Sequence, residues 1–252
     1  MTTIRDILDC FETFAPAETA MAFDNVGLLV GDGSTAISRA LLALDITAPV
    51  VREAAQKHCG LIISHHPVIF QPLKHLSAQS VPYLLAQHGI AAVCMHTNLD
   101  LSDIFGVNTC LAGALGVSDL RKSDKGECLF IGTLSAPVAM RDFATHAKAA
   151  LDCRGVRFTC VKPTVQTVAV SSGAGGSEIF AAAAEHADVL VTGEIKHHEL
   201  LASRELGVNI LDAGHFKSEN PVIPPLYEKL SAAFPDVAFF VSECCDDGVN
   251  YL

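Results

Sequence analysis

Two histidines, His65 and His66, directly follow the apolar run LIIS and are stopped by Pro67, so the chain turns where the two imidazoles emerge. Asp100 closes HTNLD after a second apolar run, and GHFKSE carries His215 and Glu219 four residues apart. On a helix that spacing puts both side chains on one face, one turn apart. The set comprises three imidazoles and two carboxylates. Neutral imidazole with carboxylate suits Zn, Mn, Fe or Ni, and the lack of any Cys-x-x-Cys argues against a structural thiolate site. Five ligands exceed what one tetrahedral ion needs. Two divalent ions sharing a bridging carboxylate would use them, and two ions about 3.5–4 Å apart can deprotonate a shared water and polarise the bond it attacks. Consecutive residues on an extended strand point opposite ways, so a turn at Pro67 would let His65 and His66 serve adjacent ions. Each residue also has a plainer reading: a histidine after a strand is usually a hydrogen-bonded core or surface residue, and His-x-x-x-Glu is weak by itself.

Other residues lie close in sequence to these. Asp24 and Asn25 precede a strand and could face the site or simply make a turn. His96 opens HTNLD and Asn98 lies within it, where they could orient Asp100 or touch substrate. Glu194 could supply a general acid or base; His197 and His198 read more simply as surface residues. Thr192 could donate a hydroxyl. The run SSGAGGS at residues 171–177 could cradle a phosphate at a helix start, but it lacks the Gly-Lys-Ser/Thr ending and reads equally as a plain βα turn.

The elements that must hold these groups alternate. Short Val-, Ile- and Leu-rich runs alternate with Ala-rich amphipathic stretches, the pattern of an α/β protein. Residues 4–14 predict a helix, 26–30 and 40–47 strands, 49–58 a helix, 60–67 a strand, 83–88 a helix, and AAVCMHTNLD a strand running into a loop. Continuously apolar strands suit a sheet covered on both faces. CLFIGTL, PVAMRDFATHAKAAL and GVRFTCV then predict strand, helix and strand, read as an insertion or small subdomain. VAVSSG, SEIFAAAAEHA and DVLVTGE repeat the alternation. Aligning AAQKHCGLIISHH with AAAEHADVLVTGE at an offset of 128 puts His58 on His186, His65 on Gly193 and His66 on Glu194. GIAAVCMHT likewise matches GVNILDAGH, with Thr97 on His215. Two similar α/β halves are expected, with polar residues at the carboxyl ends of both strand pairs, the edge where α/β sheets bind ligands. The division expected is a first lobe over 1–120, a connecting segment over 121–165 and a second lobe over 166–252.

Composition bounds the partners. Seventeen Lys and Arg against 28 Asp and Glu give a net charge of −11, the wrong sign for a general binder of long nucleic acid or anionic membrane. Half the residues are apolar and 18% charged, which excludes a disordered chain. Nine scattered cysteines do not make a disulfide scaffold. MTTIRDILDC lacks the basic start of a secretory signal, and no run approaches the ~18 apolar residues of a membrane span. A cytoplasmic, reduced protein is expected.

FDNVGLLVGD, LIISHHPVIF, HTNLD, DVLVTGE and DAGHFKSE, in this order and spacing over nearly the whole chain, resemble the Nif-three-like dinuclear-metal family, whose members often carry the name GTP cyclohydrolase 1 type 2 homologue. The resemblance implies an α/β fold of two similar lobes with a dinuclear metal site between them, and a toroidal homohexamer. It implies His65, His66, Asp100, His215 and Glu219 as ligands: Glu219 bridging, His66 and Asp100 on one ion, His65 and His215 on the other. It further implies a hydrolase acting through a metal-bridged hydroxide on a nucleotide or related heterocycle, with the bridging Glu219 as its catalytic carboxylate; Glu194 stands beside it as a candidate acid or base only by its place at the end of the strand run DVLVTGE. A non-catalytic metal-binding scaffold and a metal-dependent phosphoesterase are the alternatives, though the Gly-Asn-His-Asp run of calcineurin-like enzymes is missing. Relatives commonly carry Trp where this chain has Phe23, and this chain has no Trp at all.

Overall fold

The computed structural model describes residues 1–250 and 252. The chain forms two compact units, residues 1–102 with 223–246 and residues 103–222 with 247–252. In the first, α1 (Ile4–Glu12) leads to strands β1 (Gly27–Val30) and β2 (Arg39–Ala43), helix α2 (Ala48–Gln56), β3 (Leu61–Ser64), α3 (Val81–His88), β4 (Ala91–Cys94) and the one-turn helix α4 (Thr97–Asp100). Thr3 caps α1 in a reciprocal box with Asp6, and Thr47 caps α2, whose second residue is Pro49. The second unit runs α5 (Val107–Ala114), β5 (Ser118–Lys122), β6 (Phe130–Ala139), α6 (Met140–Ala150), β7 (Arg157–Phe158), β8 (Thr164–Val170), α7 (Ile179–Ala184), β9 (Val189–Thr192), α8 (His197–Leu206), β10 (Asn209–Asp212) and α9 (His215–Glu219). The chain then returns to the first unit with α10 (Ile223–Ala233) and β11 (Ala238–Val241).

The first sheet has the order β1-β4-β3-β2-β11 and the second β5-β6-β8-β9-β10-β7. Strands β2, β3 and β4 are mutually parallel, and so are β8, β9 and β10. Their registers repeat. Ala40 pairs with Leu61 as Val168 pairs with Val189, and Leu61 with Ala91 as Val189 with Asn209, the offsets of 128 and 118 seen in the sequence. Even the antiparallel neighbours correspond, Gly27 opposite Cys94 and Arg157 opposite Asp212. The central strands are buried on both faces, as the continuous apolar runs require. Val50, Val51 and Ala54 of α2 pack with Leu41 and Ile62 in the first core; Phe143, Ala144 and Ala147 of α6 pack with Phe130 and Val168 in the second.

Four expectations change. The strand expected over 40–47 ends at Ala43, because the Leu44 carbonyl accepts from the His66 amide rather than continuing the ladder. The TNLD of HTNLD is helical, since Asp24 Oδ2 accepts from the Thr97 amide at 2.9 Å and so satisfies an otherwise unpaired helix-start donor. The PVA of PVAMRDF belongs to β6, where Val138 and Ala139 pair with Val165 and Thr164. The segment 121–165 is no separate connector: β6 and β7 are strands of the second sheet, while residues 223–246, expected in the second lobe, complete the first sheet with β11. Cys160, set in an apolar run, is nevertheless exposed, and all nine cysteines are free thiols.

Candidate metal centre

Both units present ligand-bearing side chains just past the carboxyl ends of their parallel strands. In the first, His65 and His66 leave β3, and His96 leaves β4. His65 is buried, with Nδ1 at 2.9 Å from the Met95 carbonyl and Nε2 at 3.5 Å from Asp100 Oδ1. His66 Nδ1 lies 2.7 Å from Asp45 Oδ1, and His96 Nδ1 lies 2.9 Å from Asp24 Oδ1. Nitrogens of His65, His66 and His96 fall within 4.8 Å of one another, a grouping able to hold a metal ion. One ring nitrogen of each is held by an oxygen that accepts from its N–H, the arrangement that fixes tautomer and ring direction in metal-ligating histidines.

Asp24 is the anchor of this side. Its buried carboxylate accepts from the His96 ring, the Thr97 amide and hydroxyl, and the Asn25 amide. Burial by itself would raise its pKa, but the bonds from His96 and Thr97 outweigh that and hold the carboxyl far below the usual range. Asn25 donates to the Ile69 carbonyl at 2.6 Å, tying the loop after His66 to the same segment.

In the second unit, His215 and Glu219 sit on α9 as the four-residue spacing predicts, with Nε2 and Oε1 3.2 Å apart. Gly214, at φ +85°, ends the turn before the helix, and its amide donates to Asp212 Oδ1. Glu194 Oε1 lies 2.7 Å from His215 Nδ1, so Glu194 orients this ring as Asp45 orients His66. Glu219 is buried against Gly173, where a Cβ would stand 2.2 Å from Oε1 and 3.2 Å from His215 Nε2. The glycine at φ +58° thus keeps the space around both candidate ligand atoms open.

Several sequence expectations acquire plainer roles. Asn98 is fully buried and donates to the Ala15 carbonyl at 2.8 Å, a brace for α4. Thr192 Oγ1 faces the Gly173 carbonyl at 3.4 Å. In SSGAGGS the glycines serve packing: a Cβ at Gly175 would meet Ser171 Oγ at 2.2 Å, and one at Gly176 would meet Glu199 Oε2 at 2.5 Å. His197 and His198 lie on the exposed start of α8. Asp45 was not apparent from spacing; the signal for it is an isolated acid in the apolar run ALLALDIT, at a strand's carboxyl end.

No helix among the described residues is long and apolar enough to cross a membrane. The chain is 31% identical to the GTP cyclohydrolase 1 type 2 homolog of Clostridium perfringens over 99% of both chains. It is also 31% identical to the GTP cyclohydrolase 1 type 2 of Helicobacter pylori, over 87% of this chain and 88% of that one. Its structure superposes on a hypothetical protein of Staphylococcus aureus with a TM-score of 0.91 and 28% identity, covering 99% of each chain. A Bacillus cereus protein related to NIF3 shares the fold, with a TM-score of 0.89 at 24% identity over 100% of this chain and 99% of that one. The sequence model of one family matches residues 2–247, nearly the whole chain, which therefore belongs to the Duf34/NIF3 (NGG1p interacting factor 3) family.

Proposed function

We propose that the protein is a divalent-metal-dependent hydrolase acting on a nucleotide or related heterocycle, with His65, His66, Asp100, His215 and Glu219 as the metal-holding residues. The observation that carries this is the shared state of three rings: the Nδ1 atoms of His65, His66 and His215 each lie 2.7–2.9 Å from an oxygen, which leaves Nε2 as the ligating atom in every case. The donor set fits borderline divalent ions, being imidazole and carboxylate without thiolate. Gly173 fits it too, because its missing side chain leaves room at Glu219 Oε1 and His215 Nε2.

Two such ions would lower the pKa of a water and polarise the bond it attacks. The chain's own residues do the rest. Asp45 and Glu194 fix the directions of His66 and His215. Asp24 keeps His96 turned toward the other two histidines of its unit, where it can hold a polar substrate atom. The substrate class draws on the GTP cyclohydrolase name of the Helicobacter relative; a reaction of that name opens the purine imidazole ring by adding water, which a metal-activated hydroxide could supply.

The test is hydrolysis of GTP and a heterocycle panel by protein loaded with Zn, Mn, Fe or Ni, followed by mass spectrometry, with Glu219→Gln as control. Turnover by the native protein that falls at least about 100-fold in the variant, at unchanged folding, is expected. Metal-loaded protein that leaves the whole panel intact overturns the reading, as does elemental analysis that finds no stoichiometric metal after reconstitution.

A further inference from the structure

Beside the histidine cluster stand two phenylalanines that solvent reaches. Phe23 is 61% and Phe70 43% exposed. Their ring centroids are 6.2 Å apart at an interplanar angle of 58°, and Phe70 meets the His96 ring edge-on at 6.4 Å and 83°. His96 in turn lies 5.2 Å from the His65 ring and 5.6 Å from the His66 ring. Five rings thus run unbroken from an exposed aromatic pair to the metal-holding imidazoles, all within one compact unit.

The pair is held in place by its neighbours in sequence. Asp24, next to Phe23, is locked to His96 and Thr97, and Asn25 donates to the carbonyl of Ile69, next to Phe70. The hydrogen bonds that orient the His96 ring are therefore continuous with those that present the two phenylalanines. Exposed apolar rings are unfavourable in water, and rigid ones beside a polar cluster offer what a planar aromatic ring needs: π-faces for stacking, with imidazoles at the edge for its polar atoms. Stacking of this kind tolerates many ring systems and gives nothing to a ligand that is anionic without a ring.

We infer that Phe23 and Phe70 form a stacking platform for a heteroaromatic ring, and that this platform selects the substrate of the site while the centre held by the imidazoles and carboxylates acts on it. The substrate class rests on the hydrolase reading above; the platform itself is a binding statement and can be tested without turnover.

The chain has no tryptophan, so Phe23→Trp places a single indole reporter in the pair while keeping it aromatic. Full-length Phe23→Trp protein is titrated with GTP and, separately, with inorganic tripolyphosphate, reading indole fluorescence; Phe70→Leu is added in the same background. Saturable quenching by GTP, silence with tripolyphosphate, and apparent affinity about tenfold weaker after Phe70→Leu are expected. Equal responses to both probes, no response to GTP at millimolar concentration, or indifference to Phe70→Leu overturns the platform. An oligomer that dissociates on Phe70→Leu while GTP stays inert also overturns it, in favour of a contact between copies of the chain. Both residues are exposed, and a thermal melt equal to that of the native protein shows that the variants fold. The platform and the hydrolase reading fail separately: hydrolysis that survives Phe23→Leu with Phe70→Leu undiminished sinks the platform alone, and quenching without hydrolysis sinks the hydrolase reading alone.

Discussion

Asp45 and Gly173 fall on one another at the offset of 128 that relates the strands of the two units, yet one supplies a carboxylate 2.7 Å from His66 Nδ1 and the other removes every side-chain atom from beside Glu219. The repeated strand-loop-helix frame is the same. What differs is whether the position after the first parallel strand steers an imidazole or leaves room beside a carboxylate.

Asp45→Ala removes the acceptor that fixes the His66 ring. Loss of such a partner costs about 10–100-fold in metal affinity, because the imidazole must then be ordered as the ion binds. Isothermal titration with Zn or Mn measures this. The carboxylate is partly exposed, so the urea midpoint should move by less than about 0.5 kcal/mol equivalent. An unchanged metal affinity would show that the bond to Asp45 does not orient a ligand.

Gly173→Ala acts from the other unit and in a different way. The new Cβ would stand 2.2 Å from Glu219 Oε1, and the backbone at φ +58° is unfavourable for alanine by about 1–2 kcal/mol. The expected outcome is a lower melting temperature together with weakened metal uptake, since the buried carboxylate must move. Binding equal to the native protein at an unshifted melting temperature would mean that the space beside Glu219 is not needed.

His58 and His186 close α2 and α7 in the left-handed conformation, at φ 56° and 58°. In each, the residue's own amide bonds back three residues, to Ala55 or Ala183. The next amide reaches five back, Cys59 to Ala54 or Ala187 to Ala182, a cap that usually takes glycine. Gly89 and Gly207 fill the corresponding places after α3 and α8. Replacing either histidine by glycine should therefore stabilise the fold by about 0.5–1 kcal/mol, read as a higher urea midpoint. A fall in the midpoint would show that the imidazole contributes contacts worth more than the backbone relief.

These caps are one reason so much of the fold is legible in the sequence. Periodicity located the strands and helices, and the offset that paired His58 with His186 located the repeat, because both depend on local pattern and caps. The candidate ligands His65, His66, His215 and Glu219 were legible for the same reason: each directly follows a strand or lies at helical spacing. Asp45 and Phe70 were not, since their roles come from loops brought back onto the cluster by Asn25 and by the turn after β2. The return of residues 223–246 to the first sheet was equally invisible, as a single strand pairing across 190 or more residues leaves no local trace.

That returning segment is fastened by one acid. Glu53, buried on α2, accepts from Ser242 Oγ at 2.6 Å and from the amides of Glu243 and Cys244 at 3.0 and 3.2 Å, with Lys57 Nζ 3.0 Å away. Burial pushes its pKa up, but the bonds from Ser242, Glu243, Lys57 and Cys244 win and bring it from 4.5 down to about 2. A carboxyl depressed in the fold stabilises it fully above the unfolded value and loses that contribution as pH falls toward the folded one. The window is therefore from about pH 4.5 down to about pH 2, with roughly 3 kcal/mol at stake. Native protein should lose stability steeply across that window, and Glu53→Gln should start lower and follow a shallower profile. Amide exchange at Glu243 and Cys244 should accelerate in the variant already at neutral pH. Because the Cys245 thiol accepts from the Asp45 amide at 3.4 Å, the same release should loosen the segment that orients His66 and lower metal affinity along with it. Parallel pH profiles for the two proteins would show that Glu53 does not hold the tail.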